Sequence, residues 1–335
     1  TKGQLAAIGG PKATAETIGK DKVFFGFAFQ HFGFNTLDGV DLNRIQSVFE
    51  HDPTTPDPNI KKDIITTSNQ VSLQINQSIS FFTYGLTDRL DISVALPIVS
   101  ASLTARSDAT IQRIGTGADD TIHYFLDSNG NRTNVSSFTD SGTATGLGDI
   151  LVRAKGNVYK GQNLSLALGL DLRMPTGDPL DFLGSGSYGV KPFLAVSLRN
   201  RRIAPHVNVG YQWNGDSVLA GDVRTGQKAR LPRQLSYAFG VDAGINKKFS
   251  LAFDLLGQQI FSSERLKTTT FTAANGARFA QTAFYTGDVN ANSFAAGFKL
   301  NPISTLLVSF NAILPINDVG LHARVIPLVG VSYTF

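Results

Sequence analysis

Ionisable side chains recur at every second position inside stretches that are otherwise apolar. Asp149, Arg153 and Lys155 fall in one such stretch, Asp171 and Arg173 in the next, and Lys191 and Arg199 in a third. Asp91 precedes them, and His206, Asp242, Asp254, Lys299 and Arg324 follow in later stretches. Charges in this pattern can do two things. With cations on one wall and carboxylates on the other, they set a transverse field that orients polar solutes. Paired between adjacent segments, they form a lattice that stiffens a wall, each pair contributing little alone. The lattice is the expectation for most of them. For Arg153, Arg173 and Lys191 both readings stand.

Constellations for catalysis are weak. None of the five histidines (His31, His51, His123, His206 and His322) falls in HExxH or another paired metal spacing. A hydrolase would need a serine and a histidine at matching depth, and no nucleophile is in register with His31 or His322. Zero cysteine removes disulfides, thiolate metal ligands and cysteine nucleophiles together. Asp127-Ser128-Asn129-Gly130-Asn131 lacks the full calcium-loop pattern and reads as a turn. No enzyme activity, cofactor or metal is therefore expected. The net charge of +4 comes without a Lys/Arg cluster of nucleic-acid-binding type, so no nucleic acid partner is expected either.

The element that must position these charges has a period of two. In Leu164–Met174 the even positions are Leu164, Leu166, Leu168, Leu170, Leu172 and Met174; the odd ones are Ser165, Ala167, Gly169, Asp171 and Arg173. A helix scatters two such sets around its circumference, whereas a strand separates them. The pattern recurs in about twelve segments of membrane-crossing length: 22–34, 65–84, 89–104, 148–159, 163–174, 188–199, 203–214, 233–245, 249–262, 291–300, 304–316 and 323–335. Short turns near 85–88, 160–162, 200–202, 246–248 and 301–303 alternate with longer polar connections at 35–64, 105–147, 175–187, 215–232, 263–290 and 317–322. A soluble sandwich has no reason to alternate so strictly. The pattern predicts an all-β chain: a single transmembrane, antiparallel, up-and-down β-barrel with short periplasmic turns and long extracellular loops. A charge on the lipid face would cost roughly 2–4 kcal/mol at the midplane, which points the charged set at the lumen. The other inward positions are mostly Gly, Ala and Ser, which predicts room in the bore.

No window approaches the roughly 18 apolar residues of a spanning helix. Residues 1–21 are expected to be a periplasmic tail, or else a plug strand, of a mature chain whose signal has been removed; residues 22–335 are expected to be the barrel. Asp41 to Glu50 is expected to form a short helix capped by Asp41. Tyr84, Tyr159, Tyr211, Trp213, Tyr237 and Tyr333 fall near predicted strand ends, where aromatic girdles meet lipid headgroups.

Three segments occur together in a familiar order: Tyr84-Gly85-Leu86-Thr87-Asp88-Arg89-Leu90-Asp91, Gly146-Leu147-Gly148-Asp149-Ile150 and Leu172-Arg173-Met174-Pro175-Thr176-Gly177-Asp178. They resemble the outer-membrane transporter barrels of the putative MetA-pathway of phenol degradation family, over roughly residues 65–335. The resemblance implies a bacterial outer-membrane barrel that admits small organic, often aromatic, compounds, and it brings no catalytic residues. Resemblance to outer-membrane barrels generally also marks Tyr333 and the terminal Phe335 as a signal for the barrel-assembly machinery. The expected function is a passive channel for small molecules, the alternative a scaffold that anchors or sheathes a partner protein at the cell surface. The expected surroundings are outer-membrane lipid and lipopolysaccharide, both termini are expected in the periplasm, and any protein partner is expected at the extracellular loops or the N-terminal tail.

Overall fold

The computed structural model describes residues 14–51, 56–200, 202–303 and 305–335. The predicted strands are present: β1 Val23–Leu37, β2 Ile64–Thr87, β3 Leu90–Gln112, β4 Ile150–Lys160, β5 Leu164–Met174, β6 Gly189–Leu198, β7 Ile203–Asn214, β8 Gln234–Gly244, β9 Phe249–Thr272, β10 Arg278–Ile303, β11 Leu306–Pro315 and β12 Ile326–Thr334. Each pairs antiparallel with its neighbours in chain order. β1 pairs with both β2 and β12, so the twelve strands close into a barrel. Closure matters because an unpaired edge amide has no partner in hydrocarbon.

The pleat sorts side chains as the alternation predicts. On β5, Leu168, Leu170 and Leu172 are 54%, 40% and 42% exposed, while Ala167 and Asp171 on the opposite face are 0% and 1% exposed. Phe25, Phe27 and Phe29 on β1, Phe253 and Leu255 on β9, and Val329 and Val331 on β12 continue an apolar outer belt. An uninterrupted belt of that kind is stable against acyl chains and not against water.

The loop end departs from the expectation in three places. Residues 263–290 are not a polar loop: β9 and β10 run on through them as a tall hairpin with register kept from Ser263↔Gly287 to Thr272↔Arg278. Within 105–147, β3 continues to Gln112, and a further strand, Val135–Leu147, pairs with its upper half from Ile98 to Thr110. Asp41–Glu50 holds no helix. Ile45–Glu50 is a strand paired with Ile64–Asn69 of β2, and Asp41 turns the chain by accepting the Asn43 amide at 2.9 Å. The edge of β2 offers a full ladder of backbone hydrogen bonds to the β-branched residues of this segment, and that outweighs one capping side chain. At about 3.3 Å per residue, the 24 residues of β2 reach well past a hydrocarbon core of about 30 Å.

Two buried carboxylates tie the projecting parts together. Asp38 (φ 51°) accepts from Arg265 Nε at 3.0 Å, the Leu266 amide at 2.9 Å and the Gly320 amide at 2.9 Å, joining the end of β1 to β9 and to the 316–320 loop. Asp63 accepts from the amides of Gly115 (2.8 Å) and Thr116 (3.1 Å), the Thr116 hydroxyl (2.6 Å) and His123 Nδ1 (2.8 Å), tying loop 113–124 to the loop end of β2. Burial alone would raise the Asp63 carboxyl, but hydrogen bonds from Thr116, His123 and Gly115 outweigh it and hold it at about 2.

Because that value lies below the ordinary 3.8, the anchor stabilises the loop at neutral pH and is lost only as pH falls toward 2. Amide protection factors at Gly115 and Thr116, corrected for intrinsic exchange, are expected to hold level down to pH ~4 and to collapse below it. In Asp63→Asn the low-pH step disappears. Protection that persists unchanged to pH 2 contradicts this anchor.

Candidate functional site

The inward charges converge on the wall formed by β3 to β7. Arg153 of β4 and Asp171 of β5 are direct cross-strand partners, as are Asp171 and Lys191 of β6. Arg153 grips Asp171 with both arms of its guanidinium, Nε to Oδ1 at 2.7 Å and Nη2 to Oδ2 at 2.9 Å. Lys191 Nζ shares the same carboxylate at 3.1 Å. Lys155 sits 3.8 Å from Asp91 on β3. Arg173 lies 3.6 Å from Asp149 through Nε and donates through Nη2 to Asn214 at 2.8 Å. Farther round, His206 meets Asp254 at 3.0 Å and Lys299 meets Asp242 at 2.6 Å.

These charges therefore neutralise each other along the wall, and among the described residues they do not form opposed rows across the bore. The cause is register: antiparallel pairing puts inward residues of opposite sign side by side on one pleat. Two of the expected lumen residues lie at the rims. Arg199 is exposed at the turn end, paired with Glu16. Arg324 is exposed at a bend before β12, where its amide donates to Asn35.

Small inward residues do not leave the expected space on this side. A Cβ on Gly169 would lie 2.1 Å from the Phe193 ring, because that ring lies flat over β5. Arg153 in turn stacks 4.8 Å over Phe193. A Cβ on Gly240 would likewise strike Asp254 and His206. Glycine here is the floor beneath a neighbour's long side chain.

At the turn end, residues 14–22 run along the inner wall; residues 1–13 of the expected tail lie outside the described residues. Ala15 is fully buried against Ala167, Phe193 and Ala195. Its amide donates to Ser197 Oγ at 2.8 Å, and its carbonyl accepts from Asn157 at 2.8 Å. The Ile18 amide donates to Asp91 at 3.2 Å, and Lys155 reaches the Glu16 carbonyl.

Above this segment the bore holds a pocket that is open to solvent, with a cavity volume of about 160 Å³. Its two walls differ. Phe32 and Phe34 of β1 with Ile75, Ile79 and Phe81 of β2 form an apolar wall, which the Gly, Ala and Ser expectation missed. Asp149, Arg173, Lys191, Gln212 and Gln234 form a polar wall opposite. Phe182 and Leu183, from loop 175–188, line the pocket as well. Two of the sequence segments that carried the family resemblance meet beneath that loop. Asp149 accepts from the amides of Gly177 (3.2 Å) and Ser185 (2.8 Å), while the Thr176 hydroxyl donates to the Gly148 carbonyl at 2.6 Å and accepts from the Ile150 amide at 3.0 Å. The Asp178 carbonyl accepts from the amides of Leu183 and Gly184. The loop is folded inward by these bonds, with Phe182 held at φ 61°.

Asp171 is the keystone of the wall. Asp171→Ala leaves Arg153 and Lys191 buried without their shared anion, and it is expected to destabilise the barrel by about 3–5 kcal/mol. Urea titration of the protein folded into vesicles measures this; Asp171→Ala unfolding at the wild-type midpoint contradicts it.

The family described as "Putative MetA-pathway of phenol degradation" matches residues 55–312. No curated protein matches the sequence. Among solved structures, the COG4313 outer membrane channel from Pseudomonas putida F1 superposes with a TM-score of 0.58 at 14% identity, covering 96% of this chain and 98% of that one. A FadL homologue from Pseudomonas aeruginosa (TM-score 0.38, 9% identity, 94% and 89% covered) and the CymD monoaromatic hydrocarbon channel (TM-score 0.41, 8% identity, 94% and 88% covered) are more distant barrels. The exposed apolar belt suits acyl chains rather than water, and the chain belongs to the family of the putative MetA-pathway of phenol degradation.

Proposed function

We propose that this barrel is a passive outer-membrane channel for small organic molecules that carry both a ring or short aliphatic body and a polar or anionic group. The observation that carries this reading is the two-faced pocket. Phe32, Phe34 and Phe81 offer aromatic surface, on which an aromatic solute can stack or pack edge to face. Arg173 and Lys191 stand on the other side. Arg173, whose guanidinium is held by Asp149 and Asn214, and Lys191 give this side a positive lining that attracts a polar or anionic group of a solute. The P. putida structure of the same architecture is described as a channel, which supports the reading at the level of fold.

In this proposal the short-turn end faces the periplasm and the tall hairpins face outward, as the loop asymmetry of such barrels favours. Residues 14–22 then stand between the pocket and the periplasm, and they must shift for a solute to pass. Insertion would involve the barrel-assembly machinery, with Tyr333 and Phe335, whose rings pack edge to face at 4.6 Å, as the recognised aromatic pair. The alternative, a scaffold for a partner protein, is favoured by one feature: the loop-end halves of β2 and β3 pair with Ile45–Glu50 and Val135–Leu147 into a sheet that runs on beyond the twelve-strand wall as a platform.

Proteoliposomes test the channel directly. Phenol and benzoate are expected to enter faster than glucose, Phe81→Ala is expected to slow the aromatic solutes, and Arg173→Ala is expected to slow benzoate more than phenol and to shift ion selectivity in planar bilayers toward cations. Liposomes that admit none of these solutes, together with a silent bilayer, would leave the scaffold as the better account.

A further inference from the structure

Among the described residues, one group of side chains outside the pocket has the geometry of a ligand site. His51 follows the strand Ile45–Glu50, and His123 stands in loop 113–124, 72 positions away in sequence. Their Nε2 atoms face each other at 2.6 Å, with the ring centres 4.5 Å apart and the planes tilted by 44°. The other ring nitrogen of His123, Nδ1, is 2.8 Å from Asp63 Oδ2. Asp63 is 3% exposed and is itself held by Gly115 and Thr116.

Asp63 thus fixes the His123 ring from behind and turns its Nε2 edge toward His51, and parting the two Nε2 atoms by about 0.7 Å would set both at the roughly 2.0–2.1 Å of one tetrahedral cation. A carboxylate holding the far nitrogen of a ligating histidine is the outer-shell arrangement that fixes tautomer and ring angle and raises ligand basicity. Nitrogen pairs of this kind suit borderline transition cations rather than calcium or magnesium, which prefer oxygen.

We infer that His51 and His123 form a two-imidazole site for a divalent transition cation of the zinc, nickel or copper class, with Asp63 as its orienting carboxylate. Among the described residues no set of three His, Cys, Asp or Glu side chains converges as a metal site, so water or an exogenous ligand takes the remaining positions. The site opens onto a cleft lined by Phe49, Glu50, Ile122 and Tyr124. A cation there joins the segment at 45–51 to the loop at 113–124 and pins both over the mouth of the barrel. This site is independent of the pocket and of the channel reading.

Calorimetry of the full chain in detergent, without a histidine tag, tests the inference with zinc ion as the probe. One equivalent is expected to bind. His51→Ala and His123→Ala are each expected to abolish that isotherm, Asp63→Asn to weaken it by about 10–100-fold, and His322→Ala to leave it unchanged. Zinc is also expected to slow hydrogen exchange in residues 113–124, a readout that does not depend on channel activity. Resistance of the folded barrel to heat and detergent confirms that each variant is intact. An absence of saturable binding by the wild-type chain overturns the site, as does binding retained when both histidines are replaced.

Discussion

Hydrocarbon gives a barrel wall no partner for a charge or for an unpaired amide, and nearly every feature of this molecule follows from that. The sheet closes on itself through β1 and β12 because an open edge would leave a row of amides unsatisfied. Ionisable residues on the spanning strands turn inward because the outward face would penalise them. Once inside, they are taken from water again by their neighbours, so each needs an opposite charge close by. Asp171, 1% exposed and shared by Arg153 and Lys191, is the clearest result of those two requirements acting together.

The interior is asymmetric, and the asymmetry decides what the barrel can hold. Phe193 and the ion pairs occupy the space above Gly169 and Gly240, so the β4–β9 side is filled by side chains that lie along the wall. The β1–β2 side presents Phe32, Phe34, Ile75, Ile79 and Phe81 to the bore. Between them remains a pocket with one greasy and one charged wall. Loop 175–188 completes it, folded in by Asp149 and Thr176. Two of the segments that carried the family resemblance, the Gly-Leu-Gly-Asp strand start and the Pro-Thr-Gly-Asp segment, are thus two halves of one hydrogen-bonded joint. Outside the membrane the same economy of buried carboxylates recurs in Asp38 and Asp63, which secure the tall hairpins and the loops between them.

The twelve spanning strands were legible because within the bilayer the two faces of a strand meet different solvents, and the side chains record it. Above the bilayer both faces meet water. Thr268, Thr269 and Thr270 on β9 carry no alternation for that reason, so the upper hairpin looked like loop. Phe32 and Phe34 were hidden differently: β1 is apolar on both faces, and composition alone does not say that one face lines a pocket. The lattice was legible as a possibility, but the partner of each charge depends on cross-strand register, and Asp171 as a shared anion needed β4, β5 and β6 aligned. His51 and His123 were visible only as unrelated residues, because the fold and not the spacing brings them together.

One face of each spanning strand meets acyl chains while the other faces the bore. The absence of cysteine allows single cysteines to be introduced one at a time along β5, residues 164–174, each carrying a nitroxide spin label in protein folded into bilayers. Collision with oxygen, which concentrates in lipid, is expected to peak at 166, 168, 170 and 172 and to fall at 167, 169 and 171, with a water-soluble nickel chelate excluded from the first set. Equal oxygen accessibility at odd and even positions, or chelate contact with the even ones, would contradict the account.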